Sequence, residues 1–510
     1  MVSNAEFLPL VYGLCAVMLA FAGILRKRCG TWSNPSVVFA LFWGLMTLMP
    51  VFFVSDIQAS PSAIAYITAA VLAFGSPAFL IQWREPVEAA SARQPSDASV
   101  LARSESVVVF LALQMVVVTC MIANVAHQGF SVRNFFVDPF QIGCEYLGYK
   151  YRGEVKPFLL AQAGTVLNYV SAALAGLIVA HRRSFVVNAF VVICGIMPSL
   201  LSIAVFADKG TVFLTLAFFY GALVIGRLRN GNTALVTWRT VYSAPLVLLI
   251  VAFAIAFAMV NRHAVSCDAD HRAELANRAL LEPEAGSGSE AGSGSEVGSG
   301  LAMSVRSYAF GHLFAFSSWF DHRLAGGATF PPHLKPDPEF VAHYNTSQQE
   351  SLFRNPEGLT FGFWTFMAVG KYLDRDYYIS LPDGYYEEYY LRAGVLQTNI
   401  YTFFRGLIND FSIPGSLLFL SAFGLFMNLA YRNLLLYAFA PASQATYVLF
   451  AGYLYTSYII SLLIWNSVIA SAVATFIMLH AIDFVDRNGG SLRRLLVSRH
   501  RIEDGRGFGR

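Results

Sequence analysis

The stretch TNIYTFFRGLINDF, Thr398 to Phe411, runs directly into SIPGSLLFLSAFGLFMNLAY, Ser412 to Tyr431. The second piece is apolar enough to cross a bilayer, which takes about 20 mostly apolar residues. The first sets an arginine, an asparagine and an aspartate at its entrance. Reading that junction as a membrane boundary decides the fold class. The same length rule finds eleven such segments, at 7–25, 36–54, 62–83, 106–126, 158–180, 185–206, 211–226, 241–260, 413–431, 446–464 and 466–484. The expected fold is an all-α polytopic integral membrane protein, because helices satisfy their own backbone groups in lipid. Composition agrees: 56% of the 510 residues are hydrophobic and 13% are charged, against about 25% charged in soluble domains. The net charge of +3 is small and does not suggest nucleic acid; the partner implied is the lipid bilayer.

Orientation follows where lysine and arginine fall. Alternate connections carry Arg26, Lys27 and Arg28; Arg84, Arg93 and Arg103; Arg182 and Arg183; Arg227, Arg229 and Arg239; Arg432; and Arg487, Arg493 and Arg494. These are expected to be cytoplasmic, with the N-terminus outside. The first apolar run has no basic leader and no A-x-A-like cleavage site, so it is expected to stay as a span. The chain then divides into spans one to eight (1–260), a large outer loop (261–411), spans nine to eleven (412–485) and a basic inner tail (486–510). Within the loop, EAGSGSEAGSGSEVGSG, Glu284 to Gly300, cannot bury apolar surface and is expected to be a flexible spacer.

The first ten spans hold no Asp, Glu, Lys or Arg, and Asp483 lies near the inner end of the last. Pumps and proton-coupled transporters keep ionisable groups at membrane depth, so that class is disfavoured. The charges gather instead on the expected outer face, at Lys209, Arg306, Asp321, Arg323, Lys371, Arg392, Arg405 and Asp410. If 398–411 is one helix, Thr398, Thr402, Arg405 and Asn409 form a polar stripe. Asp410 then lies roughly 140° around from Arg405, out of local ion-pair register. Two readings stay open: Arg405 snorkels to headgroups while Asp410 or Ser412 caps the next helix ahead of Pro414, or each faces a ligand. The set His263, Cys267 and His271 is not a metal site on one helix, because its outer members would lie about 12 Å apart.

SYAFGHLFAFSSWF, Ser307 to Phe320, followed by TNIYTFFRGLINDFSIPG and a span opening into GLFMNLAYR, resembles the oligosaccharide repeat-unit polymerases, the Wzy-type O-antigen polymerase family. One departure is that the family's Asp-Phe-Gly reads Asp410-Phe411-Ser412 here, with the glycine displaced to Gly415. The resemblance implies a GT-C-like membrane architecture and a metal-independent glycosyltransferase without a cofactor. Such an enzyme joins undecaprenyl-diphosphate-linked repeat units at the outer face of a bacterial inner membrane, beside a flippase and a chain-length regulator. That chemistry needs cations for a diphosphate leaving group, and Arg405 is the first choice, with Lys209 of FADKGT second. Arg392 and Arg306 are further cations. Asp410 is the expected base or acceptor-orienting group, Asp321 and His312 are alternatives, and Tyr308, Asn399 and Thr402 complete the binding set. An O-antigen ligase, using the same donor, and a flippase of lipid-linked sugars are the competing expectations.

Overall fold

The chain folds as a bundle of long apolar helices. The computed structural model describes residues 7–54, 59–94, 99–151, 154–182, 184–206, 208–237, 295–324, 362, 364–366, 368–369, 389–391, 396–398, 402–459, 461, 463 and 465–504; at 144, 147–148, 150–151, 209, 295–308, 322, 389–391, 396–398 and 489–504 it describes backbone alone. The elements are α1 (Leu8–Cys29), α2 (Pro35–Phe53), α3 (Pro61–Gly75), α4 (Arg84–Ser91), α5 (Ser104–His127), α6 (Val132–Val137), α7 (Pro139–Tyr151), α8 (Leu159–His181), α9 (Phe185–Phe206), α10 (Lys209–Arg229), α11 (Ser295–Leu324), α12 (Phe403–Leu436), α13 (Pro441–Ile459) and α14 (Asn466–Asp504). A short antiparallel hairpin pairs β1 (Tyr389–Leu391) with β2 (Leu396–Thr398).

Among the described residues nine helices are long and apolar enough to cross a membrane. They correspond to nine of the eleven expected spans. The expected span 241–260 lies outside the described residues. The expected span 446–464 overlaps α13 over 446–459, and residues 460, 462 and 464 lie outside the described residues; α13 is not among those nine. α13 packs against α10, α12 and α14 and buries Gln444, Tyr447, Tyr453, Thr456 and Ser457, so protein rather than lipid meets its polar side chains.

Packing between helices is close where glycine permits it. A methyl group at Gly424 of α12 would collide with the Phe74 carbonyl of α3, and one at Gly176 of α8 with the Phe219 carbonyl of α10. Small residues let helix backbones approach in this way.

Two sequence expectations change at the long loop. The spacer does not run to Gly300, because α11 begins at Ser295. Extending an existing helix adds about one hydrogen bond per residue fixed, so the apolar run that follows carries helix back into the Gly/Ser tract. The stripe from Thr398 to Asn409 is not one helix either. Thr398 lies in β2, Thr402 has φ 67° and ψ 154°, and the helix starts at Phe403. Only Arg405 and Asn409 of that stripe share it.

The two ends of the bundle differ. At one end Arg28 donates to the Phe79 and Ile81 carbonyls, Arg182 to that of Arg103, Arg93 to those of Leu228, Leu434 and Leu435, and Arg229 pairs with Asp483. The alternate basic connections of the sequence thus converge, and Arg93 closes exposed carbonyls at the C-termini of α10 and α12. At the opposite end lie the junction of 402–412, the turn at 364–366, the end of α11 and the 459–466 connection.

Candidate functional site

Helix α12 is broken at Ser412, with φ 65° and ψ 176°. That region belongs almost to glycine alone. Its serine hydroxyl accepts from Gly415 N–H at 3.4 Å, so Ser412 caps the membrane-crossing part, as one sequence reading expected. The short helix before the break, 403–411, is buried from Phe403 to Asp410 except for half-buried Gly406. Phe404 lies against Trp43, with ring centroids 4.5 Å apart, and against Tyr66 and Phe316; Phe403 lies against Tyr453. The aromatic packing fixes the rotation of this helix and so the direction of its polar residues.

Arg405 is 6% exposed. Its guanidinium carbon lies 5.7 Å from the ring centre of Trp319 on α11 and 5.9 Å from that of Trp364. Both are cation–π distances, stronger where water is excluded. One turn on, Asn409 is 1% exposed, and neither amide atom has a hydrogen-bond partner among the described residues. A buried amide without partners is rare and calls for an explanation.

Asp410 is fully buried and accepts from Trp364 N–H at 3.0 Å, Thr365 N–H at 2.7 Å and Thr365 Oγ1 at 2.6 Å. Its carboxylate therefore fastens the 364–365 turn, which carries one of the two indoles over Arg405. Neither a local ion pair with Arg405 nor a cap on the next helix describes it.

The other expected residues separate. Asp321 is exposed and accepts from Ser60 and Ser62 hydroxyls, both at 2.5 Å, holding the end of α11 to the start of α3. His312 is buried with Nε2 3.0 Å from the Met46 carbonyl oxygen of α2. Thr402 is buried, and its N–H donates to the Ile459 carbonyl. Lys209 opens α10, and Arg306 and Tyr308 lie along α11, but their side chains fall outside the described residues, as do Arg392 and Asn399 and the set His263, Cys267 and His271. Among the described residues no three metal-ligating side chains cluster.

Beside the short helix lies an apolar cavity of about 280 Å³ between α12 and α13, bounded by Trp364, Phe366, Phe403, Gly406, Phe426 and Tyr453 among others. Phe366 and Phe426 are exposed, so the cavity opens on the lipid-facing surface. Trp364 belongs to both features: one part of it lines this cavity and its ring faces Arg405. A second cavity of about 440 Å³, with more polar side chains in its lining than the first, lies between α5, α8, α9, α10 and α14 at the same end. Burial first and the Asp208 carboxylate second hold the phenol of Tyr146, at its edge, above the usual tyrosine range.

Trp319, Trp364, Thr365 and Asn409 were not among the sequence-chosen site residues. Trp319 lies inside the quoted SYAFGHLFAFSSWF motif, and Asn409 was visible one turn after Arg405. Nothing local marked Trp364 and Thr365, because their role exists only through contact with Asp410. No family model, curated protein or solved structure matches the chain, which leaves the site's own geometry as the ground for its function.

Proposed function

We propose that the protein is a GT-C-like membrane glycosyltransferase that takes a polyprenyl-diphosphate-linked glycan as donor and extends a surface polysaccharide by joining repeat units, at the outer face of a bacterial inner membrane. The observation that carries this reading is the juxtaposition of a buried, aromatic-bracketed arginine with an apolar cavity open to lipid. A lipid diphosphate has that shape: an anionic head on a long apolar tail. The cavity takes the first isoprenoid units, and Arg405 meets the diphosphate.

In the reaction an acceptor hydroxyl bonds to the anomeric carbon of the donor sugar. The bond from that carbon to the diphosphate oxygen breaks, its electron pair stays on the diphosphate, and the hydroxyl proton passes to water or to the departing diphosphate. Arg405 stabilises the charge that grows on the departing oxygen, and a planar fork suits phosphate better than a point charge. Asn409, on the same helix face, offers donor and acceptor to the sugar next to it. Asp410 acts by position, holding Trp364 against the arginine.

Sidedness follows from the charge asymmetry of the two ends: the basic end is cytoplasmic and the Arg405 end external. The testing experiment is a deletion strain of the source bacterium, read by glycan gel. Loss of a polymerase leaves a single repeat unit on the acceptor lipid, and chain length returns with the wild-type gene. Unchanged chains overturn the reading; complete loss of repeat units replaces it with a ligase.

A further inference from the structure

The polar cavity is not used by the diphosphate reading, and its chemistry is different. Four amide side chains line it, Asn124, Gln162, Asn168 and Asn466, with the rings of Tyr146 and Trp465. An amide presents a donor and an acceptor together, and so does each hydroxyl of a sugar. Aromatic faces complement the C–H faces of a pyranose ring. Asn168 is 3% exposed and is tied by its nitrogen, which donates to Ser199 Oγ at 2.9 Å and Thr215 Oγ1 at 3.0 Å. Its Oδ1 has no partner among the described residues. A buried acceptor left without a donor is costly, and a ligand hydroxyl supplies one. At the edge of the cavity stands the exposed Asp208, accepting from Thr211 Oγ1 at 2.6 Å. A carboxylate there disfavours a diphosphate.

The two cavities share one strand of chain. Ser461 and Leu463 line the apolar cavity, while Trp465, Asn466 and Ser467 line the polar one. Ser461 also donates to the carbonyl of Thr365, the residue that Asp410 holds. A molecule in the polar cavity is therefore separated from the arginine site by a single connection.

We infer that the polar cavity is a carbohydrate subsite that binds an uncharged pyranose through its hydroxyls. Resting on the transferase reading, this is where a sugar of the acceptor repeat unit is held while the donor occupies the Arg405 side. The volume falls within the range of about 300–1,000 Å³ usual for small-molecule sites.

The test uses the purified full-length protein in phospholipid nanodiscs and the methyl glycosides of glucose, galactose, mannose and N-acetylglucosamine, with binding read by saturation-transfer NMR. At least one glycoside should bind saturably. Asn168→Leu should weaken it tenfold or more. Because Asn168 also ties α8 to α9 and α10, Ser202→Phe, which fills the cavity from its wall, is the second variant and should do the same. Arg405→Ala should leave glycoside binding within about twofold. Absence of binding by all four glycosides overturns the subsite, as does binding that survives Ser202→Phe, or occupancy by sodium alone, seen as stabilisation by sodium chloride but not choline chloride. The two readings fail separately. Glycoside binding with glycan length independent of the gene keeps the subsite and discards the polymerase. Gene-dependent length without glycoside binding does the reverse.

Discussion

Each end of the bundle buries an arginine, and the two have different described neighbours. Arg229, 9% exposed, is matched by the Asp483 carboxylate and by Gln444 Oε1 at 2.6 Å, joining α10, α13 and α14. Arg405, 6% exposed, is bracketed by two indoles, while Asp410 directs its oxygens to a backbone turn. The first arrangement neutralises a charge inside the protein, which suits a fastening. The second sets a cation between two aromatic faces in a buried position, the arrangement that the proposed diphosphate site uses. Sequence alone presents both as basic residues near membrane boundaries; their surroundings differ, and the proposed function rests on the second.

The largest expected effect would break the structural side of this contrast. Arg229→Met leaves Asp483 buried without its cation and should destabilise the protein by about 3–5 kcal/mol, read as lost accumulation and a lower unfolding midpoint in detergent. Adding Asp483→Leu should restore most of that loss. If the single variant is as stable as wild type, the pair does not hold these helices together.

On the functional side, Arg405→Lys should fold normally yet lose about 3 kcal/mol of transition-state stabilisation, about a hundredfold in rate. Glycan chain length at matched protein levels measures it, and normal chains would return Arg405 to a headgroup anchor. Asp410→Asn keeps the shape and one acceptor oxygen, and should cost about 1–3 kcal/mol of stability because Trp364 and Thr365 lose part of their partner. Protease sensitivity at the 364–366 turn should rise together with any loss of activity. Activity abolished in a chain as stable as wild type would instead make Asp410 the reaction's base. The smallest effect expected is at the break in α12: Ser412→Gly should stabilise by about 1 kcal/mol, since glycine tolerates this backbone region and serine does not. A lower unfolding midpoint would show that the weak hydroxyl cap outweighs the strain.

The apolar spans were legible because lipid imposes a long, nearly uniform apolar run, a property of consecutive residues. The polar side chains of α13 face neighbouring helices, which no window along the chain can register. Arg405 stood out as a charge beside a span, but its indoles come from Trp319 and Trp364, distant in sequence. Asp410 read equally well as a cap, a base or an ion-pair partner, and only the approach of the 364–365 turn chose among these.

The sequence by itself determined that this is a membrane protein whose alternate connections are the basic ones, because burial in hydrocarbon and the charge of short loops depend on composition over local stretches. Tertiary structure alone decided that Arg229 meets Asp483 and that Arg405 lies between two indoles, and that an apolar cavity and one richer in polar groups flank one connection. Those properties depend on distances between residues far apart in the chain, and packing of helices sets such distances.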